Sequence, residues 1–383
     1  MIPVFLFWFF LISSAWIYGG YFLFMVLLSA VWGKKNKVDS GYTPQASIII
    51  PTFNEERVIE ERLKNIFSQD YPRNRLQVLV VDSGSTDKTV ELVQRFKAEG
   101  VEVLTEKLRN GKGAAIRYAL NFCRNEIIVV SDANSYFAEP SCLRSLLAHF
   151  SDPKVGGATG RYFSREKIKA ATTAGTFFFR EYENILRSQE SAVDSAVSLF
   201  GELFACRKTL CFIDDQSLAE DLETSIYIRK RGFCLAYEPR SSVYEYAPYL
   251  RREFINQRRS IIIGTIQALR KHKSVLFNPR YGLYGAVILP GHKLFPVLSP
   301  FFILGGIIVD GIFFSSFLSF CSFLFAGLFL LLALLNLLNK KIPNPLKIVL
   351  YVILVNFSCL LAWKDYFLGR YSVKWKKMES SRV

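Results

Sequence analysis

Histidine, paired cysteine and glycine-rich nucleotide loops are scarce in this chain of 383 residues. It has 3 histidines and 7 cysteines, an odd number without one CxxC pair, so neither a zinc cluster nor a disulfide framework is expected and reduced thiols fit a cytosolic compartment. No GxGxxG follows the first β-branched run, which disfavours a dinucleotide fold. Gly111-Lys112 has Glu106 where a Walker loop needs glycine, and Gly113 where it needs Ser or Thr. Nothing resembles a triad around a nucleophilic serine. Charge is absent in places too: residues 1–33 carry none, and residues 294–339 only Asp310. That excludes a wholly soluble protein, while the ordinary charged pattern of residues 34–280 excludes a bare bundle of membrane helices or a disordered chain.

The apolar run 4–32 is too long for a signal-peptide core and reads as an uncleaved anchor. Lys34, Lys35 and Lys37 after it place the following domain in the cytoplasm of a multi-pass cell-membrane protein. Segments 295–314 and 317–338 are each long enough to cross, and 346–363 is a third candidate, with the parity of crossings open. His292 and Lys293 argue against a further crossing in 281–300. The resulting division is an anchor at 1–33, an α/β domain at 44–245, an interfacial amphipathic region at 246–293, two or three helices in 294–366 and a basic tail at 367–383. Lys and Arg number 48 against 33 Asp and Glu, and their clusters sit where apolar segments end. The expected partners of this excess are membrane lipids, not nucleic acid.

After Pro44, short β-branched runs alternate with helical periodicity, the pattern of βα units on a mostly parallel sheet. The predicted strands are 46–50, 76–81, 101–105 and 126–131. Thr52, Asn54, Glu55, Asp82, Lys112 and Asp132 all fall at or beyond their carboxyl ends, where open α/β sheets bind ligands. Taken singly, each has an ordinary explanation as a turn, a helix cap or a favourable first-turn charge. Jointly they favour a nucleotide pocket. Asp132-Ala133-Asn134 ends a hydrophobic strand with oxygen ligands suited to Mg²⁺ or Mn²⁺ bridging a diphosphate.

Together, Pro51-Thr-Phe-Asn-Glu-Glu56, Val81-Asp-Ser-Gly-Ser-Thr-Asp87, Asn110-Gly-Lys-Gly113, Ser131-Asp-Ala-Asn134 and Ala219-Glu-Asp221 resemble the ordered motifs of the membrane-integrated branch of the family 2 glycosyltransferases, over about residues 44–265. The resemblance implies a Rossmann-like GT-A domain, a nucleotide-sugar donor (usually UDP-linked), a divalent metal, Mn²⁺ or Mg²⁺, and inversion at the anomeric carbon. By position, Thr52, Asn54, Glu55 and Asp82 match the base and ribose pocket, with Lys112 beside them. Asp132 matches the first metal-coordinating Asp, Asn134 stands where a second Asp is often found, and Asp221 matches the catalytic base. Where processive members carry Gln-x-x-Arg-Trp, Gln257 is kept but Ser260 and Ile261 replace the Arg and Trp, which points to transfer of one or a few sugars; Arg258 or Arg259 is left to reach the diphosphate. The expected acceptor is a lipid or glycan at the membrane. The alternatives are a processive polysaccharide synthase and a silent membrane scaffold with a nucleotide-binding domain.

Overall fold

The computed structural model of the protein describes residues 2–34, 38–106, 110–165, 173–246, 250–313, 344–372 and 382. The expected crossing at 317–338 lies outside them. Four β-branched runs form the centre: β1 (Ala46–Thr52), β2 (Leu76–Asp82), β3 (Val101–Thr105) and β4 (Ile127–Ser131) lie in the order β3-β2-β1-β4, all parallel. β1, β2 and β4 are buried at nearly every position, as a parallel strand covered on both faces must be. The crossovers run through α3 (Ile59–Phe67), α4 (Thr89–Gln94) and α5 (Lys112–Leu120). On α3, Ile59, Leu63 and Ile66 turn inward, while the fully buried Arg62 stacks on Phe137 and donates to Ser131 Oγ at 2.8 Å, fixing the end of β4 just before Asp132.

Beyond β4 the sheet departs from the mostly parallel expectation. β5 (Tyr136–Phe137), β6 (Val155–Arg165), β7 (Leu203–Arg207) and β8 (Cys234–Tyr246) continue it in the order β4-β7-β6-β8-β5. β7 is antiparallel to both β4 and β6, β5 is antiparallel to β8, and β6 and β8 are parallel. The sheet is therefore mixed. The reason is an excursion: α7 (Thr173–Val193) leads out from β6, and residues 194–202 double back along it, with Arg187 Nη1 donating to Ser198 Oγ at 2.9 Å. An out-and-back path returns the chain to the end it left, so the next strand must run the opposite way.

Among the described residues, three helical stretches are long and apolar enough to cross a membrane: Ile2–Trp32, Tyr284–Ile312 and Val349–Phe367. The first comprises α1 (Ile2–Ala15) and α2 (Tyr21–Trp32). After α8 (Glu220–Lys230) and α9 (Arg251–Lys271), the second leads into α10 (Phe295–Phe313) and the third belongs to α11 (Asn344–Phe367). The second stretch includes the region in which His292 and Lys293 argued against a helix of this kind. His292 is accommodated because it is buried between two carboxylates of α7, with Nδ1 at 2.6 Å from Glu190 and Nε2 at 2.9 Å from Glu183. Tyr21 also donates to Glu190 at 2.7 Å, and Arg187 to Glu183 at 3.2 Å. Burial opposes ionisation of Glu183, yet His292 and Arg187 hold its carboxyl well below the usual range. His292→Leu leaves those charges buried without their partner, and a loss of about 3–5 kcal/mol is expected, read as an earlier unfolding transition in detergent. An unchanged transition would show that the cluster does not tie the membrane helices to the domain.

α9, expected to be interfacial, packs on α8 and α11. At Gly264 it approaches the turn before α8 so closely that a Cβ would lie 2.7–2.8 Å from the Leu218 carbonyl and 2.9 Å from Ala219 Cβ. Backbone cannot yield as a flexible side chain would, so Gly264→Ala is expected to cost about 1–3 kcal/mol, measurable by thermal unfolding. It would also shift the residues leading to Asp221.

Candidate active site

The carboxyl ends of β1 and β2 are built as an interlocked pair of loops. Asn54 takes a left-handed backbone (φ 55°), its amide donates to Ser85 Oγ at 2.8 Å, and its Oδ1 accepts from the Thr86 amide at 2.8 Å. Asp82 Oδ2 accepts from the amides of Gly84 and Ser85 at 3.1 and 3.0 Å, a turn that the φ of 80° at Gly84 permits. Thr52 spends its hydroxyl on the Val81 carbonyl. Asp82 Oδ1 is buried without a hydrogen-bond partner among the described residues.

Next to it, at the end of β4, Lys112 reaches across from the first turn of α5. Its ammonium lies 2.6 Å from Asp132 Oδ1, 3.0 Å from the Gly201 carbonyl and 3.4 Å from Glu220 Oε1. Burial works against its charge, but Asp132 and Glu220 outweigh that and raise the lysine above its ordinary range. On the other side, Arg382 forks onto Glu55 at 2.7–3.1 Å and lies 3.4 Å from Asn134 Oδ1. Glu245 on β8 accepts from Ser135; burial first, then Glu202 and Asp132, push it up to about 7. No three carboxylates or imidazoles among the described residues converge on one point to hold a metal unaided. The hard oxygen atoms of Asp132 and Asn134 nevertheless fit a divalent ion completed by phosphate oxygens, as Mg²⁺ usually is.

Asp221 opens α8 facing this group. Its Oδ1 accepts from the Leu222 amide at 2.7 Å. Part of its surface opens on the cavity, yet the walls strip its water: burial above all, and then Glu220, push its pKa up to about 6 against the pull of Lys112. Gly201 leaves the space between the two free, since a Cβ there would already lie 3.4 Å from Lys112 Nζ and 3.6 Å from Asp221 Oδ2.

These groups share one cavity of about 290 Å³. Thr52, Glu55, Lys112, Asp132, Asn134, Asp221, Gln257 and Arg258 line it. Asn54 and Asp82 lie behind its wall, in the loops just described, and Arg259 is directed elsewhere, paired with Asp365 of α11. The sequence reading missed Gly201, Glu202, Glu220 and Glu245 of the acidic floor, and Arg180, Arg187 and Lys293 at the far end. Glu220 had a signal in its adjacency to Asp221, and Glu245 in being a carboxylate on a strand of alternating burial. The far-end cations had none, because helical periodicity does not report what a neighbouring helix brings.

The fold and cavity define a membrane-associated protein with a GT-A-like domain. Residues 127–363 match the model of glycosyl transferase family group 2, and residues 47–200 that of glycosyl transferase family 2. The chain belongs to this glycosyltransferase family. Similar proteins include the probable glycosyltransferase YdaM of Bacillus subtilis, 26% identical over 61% of this chain and 58% of its own length. The dolichyl N-acetyl-alpha-D-glucosaminyl phosphate 3-beta-D-2,3-diacetamido-2,3-dideoxy-beta-D-glucuronosyltransferase of Methanococcus voltae is 24% identical over 84% of this chain and 96% of its own. The chain thus spans little more than half of YdaM but nearly all of the archaeal enzyme. The mannosyltransferase PcManGT of Pyrobaculum calidifontis, solved with GDP-Man and Mn²⁺, superposes with a TM-score of 0.74 at 23% identity, over 96% of this chain and 100% of that one. That likeness establishes the shared fold.

Proposed function

We propose that the protein is an inverting glycosyltransferase that moves a sugar from a nucleoside-diphosphate donor, UDP-linked by its motifs, to a lipid or glycan acceptor at the cytoplasmic membrane face. The observation that carries this reading is the opposition, across the bare Gly201, of Asp221 to the Lys112–Asp132 pair in a single cavity. Asp82 and Asn54, from behind the wall, brace the loops that bring Thr52 and Ser83 to the base and ribose end of the cavity. Asp132 and Asn134 would hold the metal, which would supply charge neutralisation for the departing diphosphate. PcManGT is described with both GDP-Man and Mn²⁺, which supports a metal-dependent diphosphate donor here.

On the other side, Asp221 takes the proton of the acceptor hydroxyl as its oxygen bonds to the anomeric carbon. The bond from that carbon to the diphosphate breaks with its electron pair leaving on the diphosphate, so configuration inverts. Lys112, kept charged by Asp132 and Glu220, stands where the leaving group's charge develops. The test is to incubate the purified full chain in lipid with a panel of UDP- and GDP-sugars and Mn²⁺ or Mg²⁺, following nucleotide release and labelled product. Metal-dependent release from one donor with products one or a few sugars longer is expected. Long polymers would establish processive synthesis instead, and silence across the panel from folded protein would leave the scaffold reading.

A further inference from the structure

At the end of the cavity away from Asp132, three helical elements bring cations together. Arg180 and Arg187 come from α7, Arg258 from α9, and Lys293 from the helical stretch leading into α10. Two of the four have a protein carboxylate close by: Arg187 at 3.2 Å from Glu183, and Arg180 at the longer 3.9 Å from Glu202. Arg258 and Lys293 have no ion pair or hydrogen bond among the described residues. Arg258 is 8% exposed and sits among the rings of Phe179, Phe254 and Tyr351, its carbon 5.1–5.6 Å from their centres, with Nε buried and unbonded. Rings hold a guanidinium in place without using its N–H groups. Burial lowers Arg258 from its usual range, as expected for a charge short of compensation.

Water-poor, uncompensated positive charge is costly unless an anion completes it. The donor diphosphate is not needed for this, since Lys112 and a metal at Asp132 serve it at the other end. Apolar groups accompany these cations: Phe179 of α7 and Ile261 of α9 line the cavity, and Phe177 and Phe178, next to Phe179 in sequence, are 55% and 54% exposed. Lys293 belongs to the apolar stretch 284–312, and Tyr351, whose ring lies beside Arg258, to the apolar stretch 349–367.

We infer that Arg258, Lys293 and Arg180 form a subsite for the phosphate of a lipid-linked acceptor, whose chain leaves over the phenylalanines of α7 while its sugar hydroxyl meets Asp221. This rests on the transfer reading and adds what that reading leaves open, the anionic character of the acceptor. A free phosphate offers the same charge but nothing for the apolar groups.

The test titrates the full chain in detergent with farnesyl phosphate, farnesol and inorganic phosphate, alone and beside UDP or GDP with Mn²⁺. Farnesyl phosphate is expected to saturate without displacing the nucleotide, and to bind about tenfold or more weakly to Arg258→Gln and Lys293→Gln, the range for a lost charge-assisted hydrogen bond. Arg258→Lys should recover part of the loss, and nucleotide affinity, measured on the same samples, reports whether the variants are folded. Farnesol binding as tightly as its phosphate would overturn the subsite, as would inorganic phosphate matching farnesyl phosphate. Displacement of the nucleotide would also overturn it, assigning these cations to the donor. If farnesyl phosphate fails where Mn²⁺–nucleotide binds, the subsite falls and the transfer reading stands; if the nucleotide fails, that reading falls by itself.

Discussion

Asp221→Asn is expected to lower sugar transfer by about 10²–10⁴-fold, the usual contribution of a positioned general base, while nucleotide affinity changes little. The asparagine keeps the shape and can still accept from the Leu222 amide, so the loss is one of proton acceptance. The same residue is expected to set a pH dependence. A base must be ionised to work, and a carboxyl raised to about 6 by burial is protonated below that value, so kcat/KM should fall as pH drops through about 6 and level off above it. Lys112 pulls the other way, and removing its charge with Lys112→Met should carry the acid limb to higher pH. Transfer by Asp221→Asn at a rate near that of the unaltered protein would remove Asp221 from the chemistry, and an acid limb unmoved by Lys112→Met would mean that another group sets it.

Asp132→Asn is expected to have the other large effect, a loss of about 10²–10³-fold in transfer, in line with removing one preorganised stabiliser of developing charge. Unlike the Asp221 change, it should also weaken Mn²⁺-dependent nucleotide binding, because the remaining amide pair with Asn134 offers no negative charge to the ion. It further leaves the half-buried Lys112 with Glu220, at 3.4 Å, as its nearest carboxylate. Comparing nucleotide titrations with and without Mn²⁺ separates these effects. If metal strengthens nucleotide binding equally in both proteins, Asp132 is not its ligand.

The apolar stretches and the β-branched strands were legible because they depend on local composition. Thirty-three uncharged residues at the amino terminus and short isoleucine and valine runs report burial in lipid or in a sheet regardless of what lies opposite. The ends of β1, β2 and β4 could likewise be read, since each strand stops where polar residues take over, and Thr52, Lys112 and Asp132 do share one cavity. The antiparallel return of β7 could not be read, because its direction depends on where residues 194–202 bring the chain after α7. The distinction between Arg258 and Arg259 was also hidden. They are adjacent, and only the packing of α9 decides that one enters a cage of rings while the other pairs with Asp365.

By itself, then, the sequence determined the apolar anchors, the β-branched core and the identity of the groups at the strand ends, all consequences of short-range solvation and backbone preference. The tertiary structure alone decided which charges meet. His292 lies between Glu183 and Glu190, Lys112 between Asp132 and Glu220, and Arg180, Arg258 and Lys293 at one end of one cavity. Coulomb energy in a water-poor interior depends on separation in space, and distance along the chain carries almost no information about it.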